Sequence, residues 1–257
     1  MNPSPLPSWS AASRFVCRAC GLALVAIATS TTSAASLSIS LQQVDRNNPT
    51  IAQGTLGTFD LTAGGLALDW LKPVGSNLSL AEKDLANALN FSTLGTTFTP
   101  STYANDGYTF SWSGGDSGSI SGTSFQGSNE SSTTVGRGFR LNFVAPAPGD
   151  YTVTYYSAAN GDLTKYRLTG FLDTTQLDAK SASANLGSDS VDELIWTVQI
   201  NADAANQNFN LDLTRQTGAT SSAIAITGAN VVAAPEPTGA ALLLLGAVTL
   251  GKKRRQR

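Results

Sequence analysis

The stretch "GRGFRLNFVAPAPGDYTVTYYSA", Gly136 to Ala158, decides the fold class. In its first half Phe139, Leu141 and Phe143 alternate with Arg140 and Asn142. In its second half Tyr151, Val153 and Tyr155 alternate with Thr152 and Thr154. Successive side chains of a strand point to opposite faces, so each half reads as a strand with one buried and one wet face. Pro146-Ala147-Pro148-Gly149-Asp150 stands between them. Proline and glycine at such a place supply the fixed and the permissive backbone that a turn needs.

The same period of two recurs along the chain. It is carried by Leu37, Ile39 and Leu41, by Leu66, Leu68 and Trp70, by Tyr108, Phe110 and Trp112, and by Leu194, Trp196, Val198 and Ile200. Phe209, Leu211 and Leu213 repeat it, and Ile224 and Ile226 begin a last strand that runs toward Val231. Gly114-Gly115-Asp116 ends one strand, and Asn160-Gly161 is a hairpin signal because both residues tolerate positive φ. Many short strands with turns between them predict an all-β protein, an antiparallel β-sandwich of jelly-roll type. One segment departs from the pattern. In Ser79 to Leu89, Ser79 and Glu82 have capping-box spacing and Leu85 and Leu89 lie four apart, which predicts one short helix across an end or edge of the sandwich. The Gly/Ser-rich stretch from Ser113 to Gly138 reads as a long loop with a weak strand near Ile120 and Phe125.

Both ends of the 257-residue chain read as addresses. Met1 to Ala35 has the parts of a secretory signal peptide: Arg14 and Arg18, a short apolar core from Gly21 to Ala28, then Ser33-Ala34-Ala35, with cleavage expected after Ala35. At the other end stand Pro235-Glu236-Pro237, an apolar run, and Lys252, Lys253, Arg254, Arg255 and Arg257. As a helix, Thr238 to Gly251 would span about 21 Å, short of a bilayer core of about 30 Å. The cations favour the cytoplasmic side, with the main domain outside. The order of the three parts resembles the PEP-CTERM sorting signal of bacterial surface proteins handled by an exosortase in the inner membrane. The basic cluster departs slightly, being split by Gln256. The resemblance implies export through the Sec translocon, transient retention by the tail, recognition near Pro235-Glu236-Pro237 by an exosortase-type membrane enzyme, and delivery to the cell surface or extracellular matrix. The short apolar run suits a transient hold, and a plain C-terminal anchor is the alternative. The organisation is then 1–35 signal peptide, 36–232 exported β-sandwich and 233–257 sorting tail.

The exported segment constrains chemistry by what it lacks. Cys17 and Cys20 both fall in the signal peptide, so no disulfide staples the domain. The chain has no histidine, which removes Ser-His-Asp and Cys-His catalysis and the usual zinc, copper and iron sites. Setting the two ends aside leaves nine basic and 17 acidic residues, a net charge near −8 that argues against a nucleic-acid partner. No cofactor is expected, and a hard cation held by oxygens, such as calcium, stays open through Asp69, Asp106 and Asp116, which otherwise read as solvated carboxylates. The acid pairs Asp192-Glu193 and Glu82/Asp84 are close in sequence, whereas glycoside hydrolysis sets two carboxylates across a sugar bond. No enzyme is read from them.

"LALDWLKPV" (Leu66 to Val74), "YTFSWSGGD" (Tyr108 to Asp116) and the opening stretch together look like bacterial extracellular jelly-roll domains similar to galactose-binding-like domains. That resemblance implies a carbohydrate-associated or adhesive module. Trp70 and Trp112 alternate with apolar neighbours and read as core, while Tyr156, on the face opposite Tyr155, reads as the exposed aromatic and a ligand contact. Two functions follow: a non-catalytic surface or matrix protein associated with exopolysaccharide, or a carbohydrate-binding jelly-roll delivered by the same route.

Overall fold

The computed structural model describes residues 34–45, 56–73, 80–83, 88–95, 100–103, 107–115, 121–124, 127–130, 134–160, 165–183, 191–217 and 223–234. Most of the segment expected to be a signal peptide, up to residue 33, and the expected sorting motif and basic end from Pro235 lie outside them, as do Asp84, Asp106 and Asp116.

Two large sheets face each other. The larger runs in the order β1 (Ser36–Asp45), β14 (Val191–Ala202), β11 (Gly149–Asn160), β16 (Ala223–Ala233), β3 (Ala67–Pro73), β4 (Leu80–Glu82), with β9 (Gly127–Glu130) also on β16 and β6 (Ser101–Tyr103) on β9. The smaller runs β13 (Thr175–Ser183), β12 (Lys165–Leu172), β15 (Gln207–Thr217), β10 (Gly138–Ala145), β5 (Leu89–Leu94). Every pairing within these two sheets is antiparallel. From β10 onward the chain crosses repeatedly between sheets, as a jelly-roll does. Pro146–Asp150 is therefore a corner between sheets. Asn160, expected to turn a hairpin, likewise ends β11 in one sheet, and the next described strand, β12, is in the other.

The core lies between the facing sheets and uses the alternation read from the sequence. Tyr151, Val153 and Tyr155 of β11 and Trp196 and Val198 of β14 meet Phe139, Leu141 and Phe143 of β10 and Phe209, Leu211 and Leu213 of β15, all at most 4% exposed. Burying such a side chain contributes about 1.5–3 kcal/mol each. Phe143 packs edge-on against Tyr151 at 5.0 Å and stacks on Phe209 at 6.2 Å. β10 lies so close to β15 that a Cβ on Gly138 would sit 1.9 Å from the Leu213 carbonyl oxygen.

Two carboxylates stitch the seams between the sheets in the same way. Asp69 on β3 accepts from its neighbour Trp70 N (2.7 Å) and, across the seam, from Leu89 N of β5 (2.8 Å). Asp178 on β13 accepts from Ala179 N (2.7 Å) and from Ile39 N of the edge strand β1 (2.7 Å). Each supplies an acceptor to a strand edge that the sheet itself leaves unpaired.

A small third sheet, β2 (Gly57–Asp60), β7 (Tyr108–Ser113) and β8 (Ser121–Ser124), packs on the outer side of the larger sheet, with β2 and β7 parallel. It buries a second core of Leu61, Trp70, Phe110, Trp112, Tyr156 and Ile195. Part of the stretch expected to be a loop thus forms β8 and β9. The helix expected over Ser79–Leu89 is not formed by its described residues: Leu80-Ala81-Glu82 pairs with Pro73-Lys72-Leu71, and Ala81 is fully buried. Ladder hydrogen bonds and burial outweigh the local helix signals.

Candidate functional site

The outer face of the smaller sheet is a registered polar lattice. Phe139, Leu141 and Phe143 of β10 and Phe209, Leu211 and Leu213 of β15 point into the core, so the residues between them point outward. Register sets them in rows. One row holds Asn90, Asn142, Asn210, Phe171 and Gln176 from β5, β10, β15, β12 and β13. The next holds Ser92, Arg140, Asp212 and Thr169. A third holds Thr214, Arg167 and Ser181. At a strand spacing of about 4.8 Å the five strands span roughly 19 Å, with rows about 7 Å apart.

The lattice is locked by its own hydrogen bonds. Arg140 donates Nε and Nη2 to the two carboxylate oxygens of Asp212 at 2.6 and 2.7 Å. That hydrogen-bonded carboxylate raises the Arg140 pKa above its ordinary value, against the opposing cost of desolvation. Asn142 donates Nδ2 to Asn208 and, at 3.0 Å, to Asn210 Oδ1. Asn210 passes the chain on, donating Nδ2 to the carbonyl of Asp173 (3.0 Å) in the turn that joins β12 to β13. Asn210, Asp212 and Thr169 are only 7–9% exposed although they face outward, because their neighbours pack around them. Phe171 is half-buried beside them, and Asn90, Ser92 and Gln176 form an exposed rim.

Such a face has a definite chemistry. Amides and hydroxyls both donate and accept, the guanidinium only donates and the carboxylate only accepts. The half-buried ring of Phe171 adds a flat apolar surface. Fixed polar groups lose little freedom when a polyol meets them, which favours binding.

The residues singled out from the sequence lie elsewhere. Tyr156, expected to be exposed, is 7% exposed. It sits under the third sheet, 4.7 Å from the Phe59 ring and 5.1 Å from Phe110, and burial pushes its phenol up to about 12. Trp70 and Trp112 pack on each other at 6.3 Å in the same core, as their alternation predicts. Asp69 is 2% exposed and engaged by backbone N–H groups of the seam, which corrects its reading as a solvated carboxylate. Among the described residues no group of three or more acidic, histidine or cysteine side chains is placed to hold a metal. Asp192 and Glu193 are both buried. They turn to opposite sides of β14, Asp192 accepting from Gln43 Nε2 (3.1 Å) and Glu193 from Gly107 N (2.7 Å). Ala35 packs against the main core and donates its N–H to Asp203, and β1 begins at the next residue, Ser36.

No protein-family model matches the chain, and no curated protein matches it. Solved structures do. The carbohydrate-binding module TmCBM61, in complex with β-1,4-galactotriose, is 10% identical over 57% of this chain and 88% of that one, with a TM-score of 0.34. The CBM22-1–GH10 modules of Clostridium thermocellum xylanase 10B, with xylohexaose, are 11% identical over 63% of this chain and 29% of that one, with a TM-score of 0.30. The C-terminal CBM6 of LamC from Zobellia galactanivorans is 13% identical over 56% of this chain and 99% of that one, with a TM-score of 0.24. At these identities and TM-scores the likeness carries no argument, and the all-β sandwich rests on the strand order and pairings of the chain itself.

Proposed function

We propose that the protein is a non-catalytic carbohydrate-binding β-sandwich and that the outer face of its smaller sheet is the binding face. The observation that carries this reading is the locked row of Asn142, Asn210 and their neighbours beside the half-buried Phe171. A pyranose presents hydroxyls around its rim and C–H groups on its faces, and this surface offers partners for both. Asp192 and Glu193, buried on opposite sides of one strand, offer no arrangement across a cleft. Screening the full-length chain in detergent on an array of neutral and charged polysaccharides tests the reading. Saturable binding to a glycan is expected, and absence of binding to every glycan overturns it.

Export belongs to the same proposal. The signal-peptide pattern ending at Ala35 and the tail from Pro235-Glu236-Pro237 to Arg257 support secretion, exosortase-type sorting and deposition in an exopolysaccharide layer. Deleting 235–257 should change retention and processing of the protein in a fractionated culture. Unchanged localisation and processing of the truncated chain would count against that route.

A further inference from the structure

The two large sheets divide the charge of this domain unequally. The strands of the larger sheet carry the carboxylates Asp45, Asp69, Glu82, Glu130, Asp150, Asp192 and Glu193 and a single cation, Lys72, which is fully buried. The five strands of the smaller sheet carry Arg140, Lys165, Arg167, Lys180 and Arg215 against two carboxylates, Asp178 and Asp212. Arg215 is fully buried and Asp178 accepts backbone N–H groups at the seam. Among the described residues of its strands, the outer face presents Arg140, Arg167 and Lys165 with one carboxylate, Asp212, a basic patch on an acidic domain.

We infer that the ligand of this face is an acidic polysaccharide, one bearing carboxylate or sulfate groups. The inference rests on the carbohydrate-binding reading and deepens it. Asp212 occupies the Nε and Nη2 edge of the Arg140 guanidinium and so fixes its plane. A guanidinium has five N–H donors, so three remain, and the Nη1 and Nη2 ends together match the two oxygens of a carboxylate or sulfate. Arg167 stands two strands and two residues away, with its Cα about 12 Å from that of Arg140 at ordinary strand dimensions. Two anionic groups on one glycan chain would be held at the two guanidinia, with the amide row and Phe171 alongside for uncharged rings. Asp173, in the turn joining β12 to β13, is at the end of this face away from Lys165 and Arg167, so the basic half is the half toward Lys165.

The test is binding of the full-length chain in detergent to polyuronate, to a sulfated glycan, to a neutral galactan or xylan and to a single-stranded oligonucleotide, at low and high salt. Binding to the acidic glycans should be at least about tenfold tighter than to the neutral ones and weaken with salt. Arg167→Gln should weaken it about tenfold, the loss of one charge-assisted contact, while Arg167→Lys retains much of it. Unchanged thermal unfolding of both variants confirms that the fold is intact. Equal binding to neutral and acidic glycans overturns this inference and leaves the carbohydrate reading standing. Binding to the oligonucleotide as tight as to polyuronate overturns it as a general polyanion effect. Binding to no glycan overturns the carbohydrate reading itself.

Discussion

Replacing Asp69 by alanine separates a structural carboxylate from a metal ligand. Asp69 is 2% exposed, and its two oxygens accept from Trp70 N and Leu89 N at 2.7 and 2.8 Å. Alanine leaves both donors in a seam with no side-chain acceptor. A buried donor without a partner costs about 1–3 kcal/mol, so the pair costs roughly 4 kcal/mol. In a domain of this size each kcal/mol lowers Tm by about 2–4 °C, so Asp69→Ala should melt about 10 °C earlier. Asp69→Asn keeps one carbonyl oxygen and should lose about half as much. Asp178→Ala removes the matching stitch at the other seam, where the bond to Ile39 N is only partly buried and water can replace it, so a loss of about 1 kcal/mol is expected. Thermal unfolding followed by circular dichroism, with and without calcium, reads all three. A Tm for Asp69→Ala within about 2 °C of wild type, or a calcium-dependent Tm lost in Asp69→Asn, would refute the seam role.

Other consequences are sharper in sign than in size. Gly138→Ala places a Cβ 1.9 Å from the Leu213 carbonyl oxygen, so β10 and β15 must part and the variant should be destabilised by about 3 kcal/mol or more. Gly170→Ala meets only the end of the Leu37 side chain, at 2.4 Å, and should cost less; equal melting of the two variants would contradict this. Burial raises the phenol of Tyr155 well above its ordinary value and that of Tyr156 to about 12. Because these values are raised on folding, the stabilisation they report is complete below the ordinary tyrosine range and is lost as pH rises through the folded values. In an alkaline absorbance titration of the folded protein the Tyr156 phenol should therefore ionise with a midpoint of about 12, and the Tyr155 phenol should ionise well above the ordinary tyrosine range. Asp60, whose carboxyl is held low first by the Thr62 hydroxyl and then by Gly64 N–H, should titrate below an ordinary aspartate by NMR, and an ordinary value would argue against that turn in solution.

Much of the fold was legible in the sequence because its core is made by strict alternation. Phe139, Leu141 and Phe143, or Phe209, Leu211 and Leu213, announce strand and buried face together. The candidate site was hidden by the same rule. Asn142, Asn210 and Asp212 occupy the wet positions, where sequence shows only polarity, and it takes the registers of four pairings to set Asn90, Asn142, Asn210, Phe171 and Gln176 in one row. Tyr156 is buried against expectation because alternation says which face a residue takes and not whether another sheet covers that face. Here Phe59 and Phe110 of the third sheet do so. Leu80–Glu82 departs from the helix expected there because the Ser79/Glu82 capping-box spacing is a signal within one turn, whereas the ladder to Leu71–Pro73 and the burial of Ala81 depend on a neighbouring strand and the packed core.

The most direct test of the central claim maps binding onto one face. Phe171→Ala and Gln176→Ala on the smaller sheet are compared with Thr152→Ala and Gln199→Ala on the larger sheet, where the Thr152 hydroxyl donates to Gln199 Oε1 at 2.9 Å. Isothermal titration of each full-length variant with the glycan selected on the array reads the outcome. The account requires Phe171→Ala to weaken binding about tenfold or more at unchanged Tm while the larger-sheet variants bind as wild type. Loss of binding in the larger-sheet variants with Phe171→Ala unaffected would contradict it.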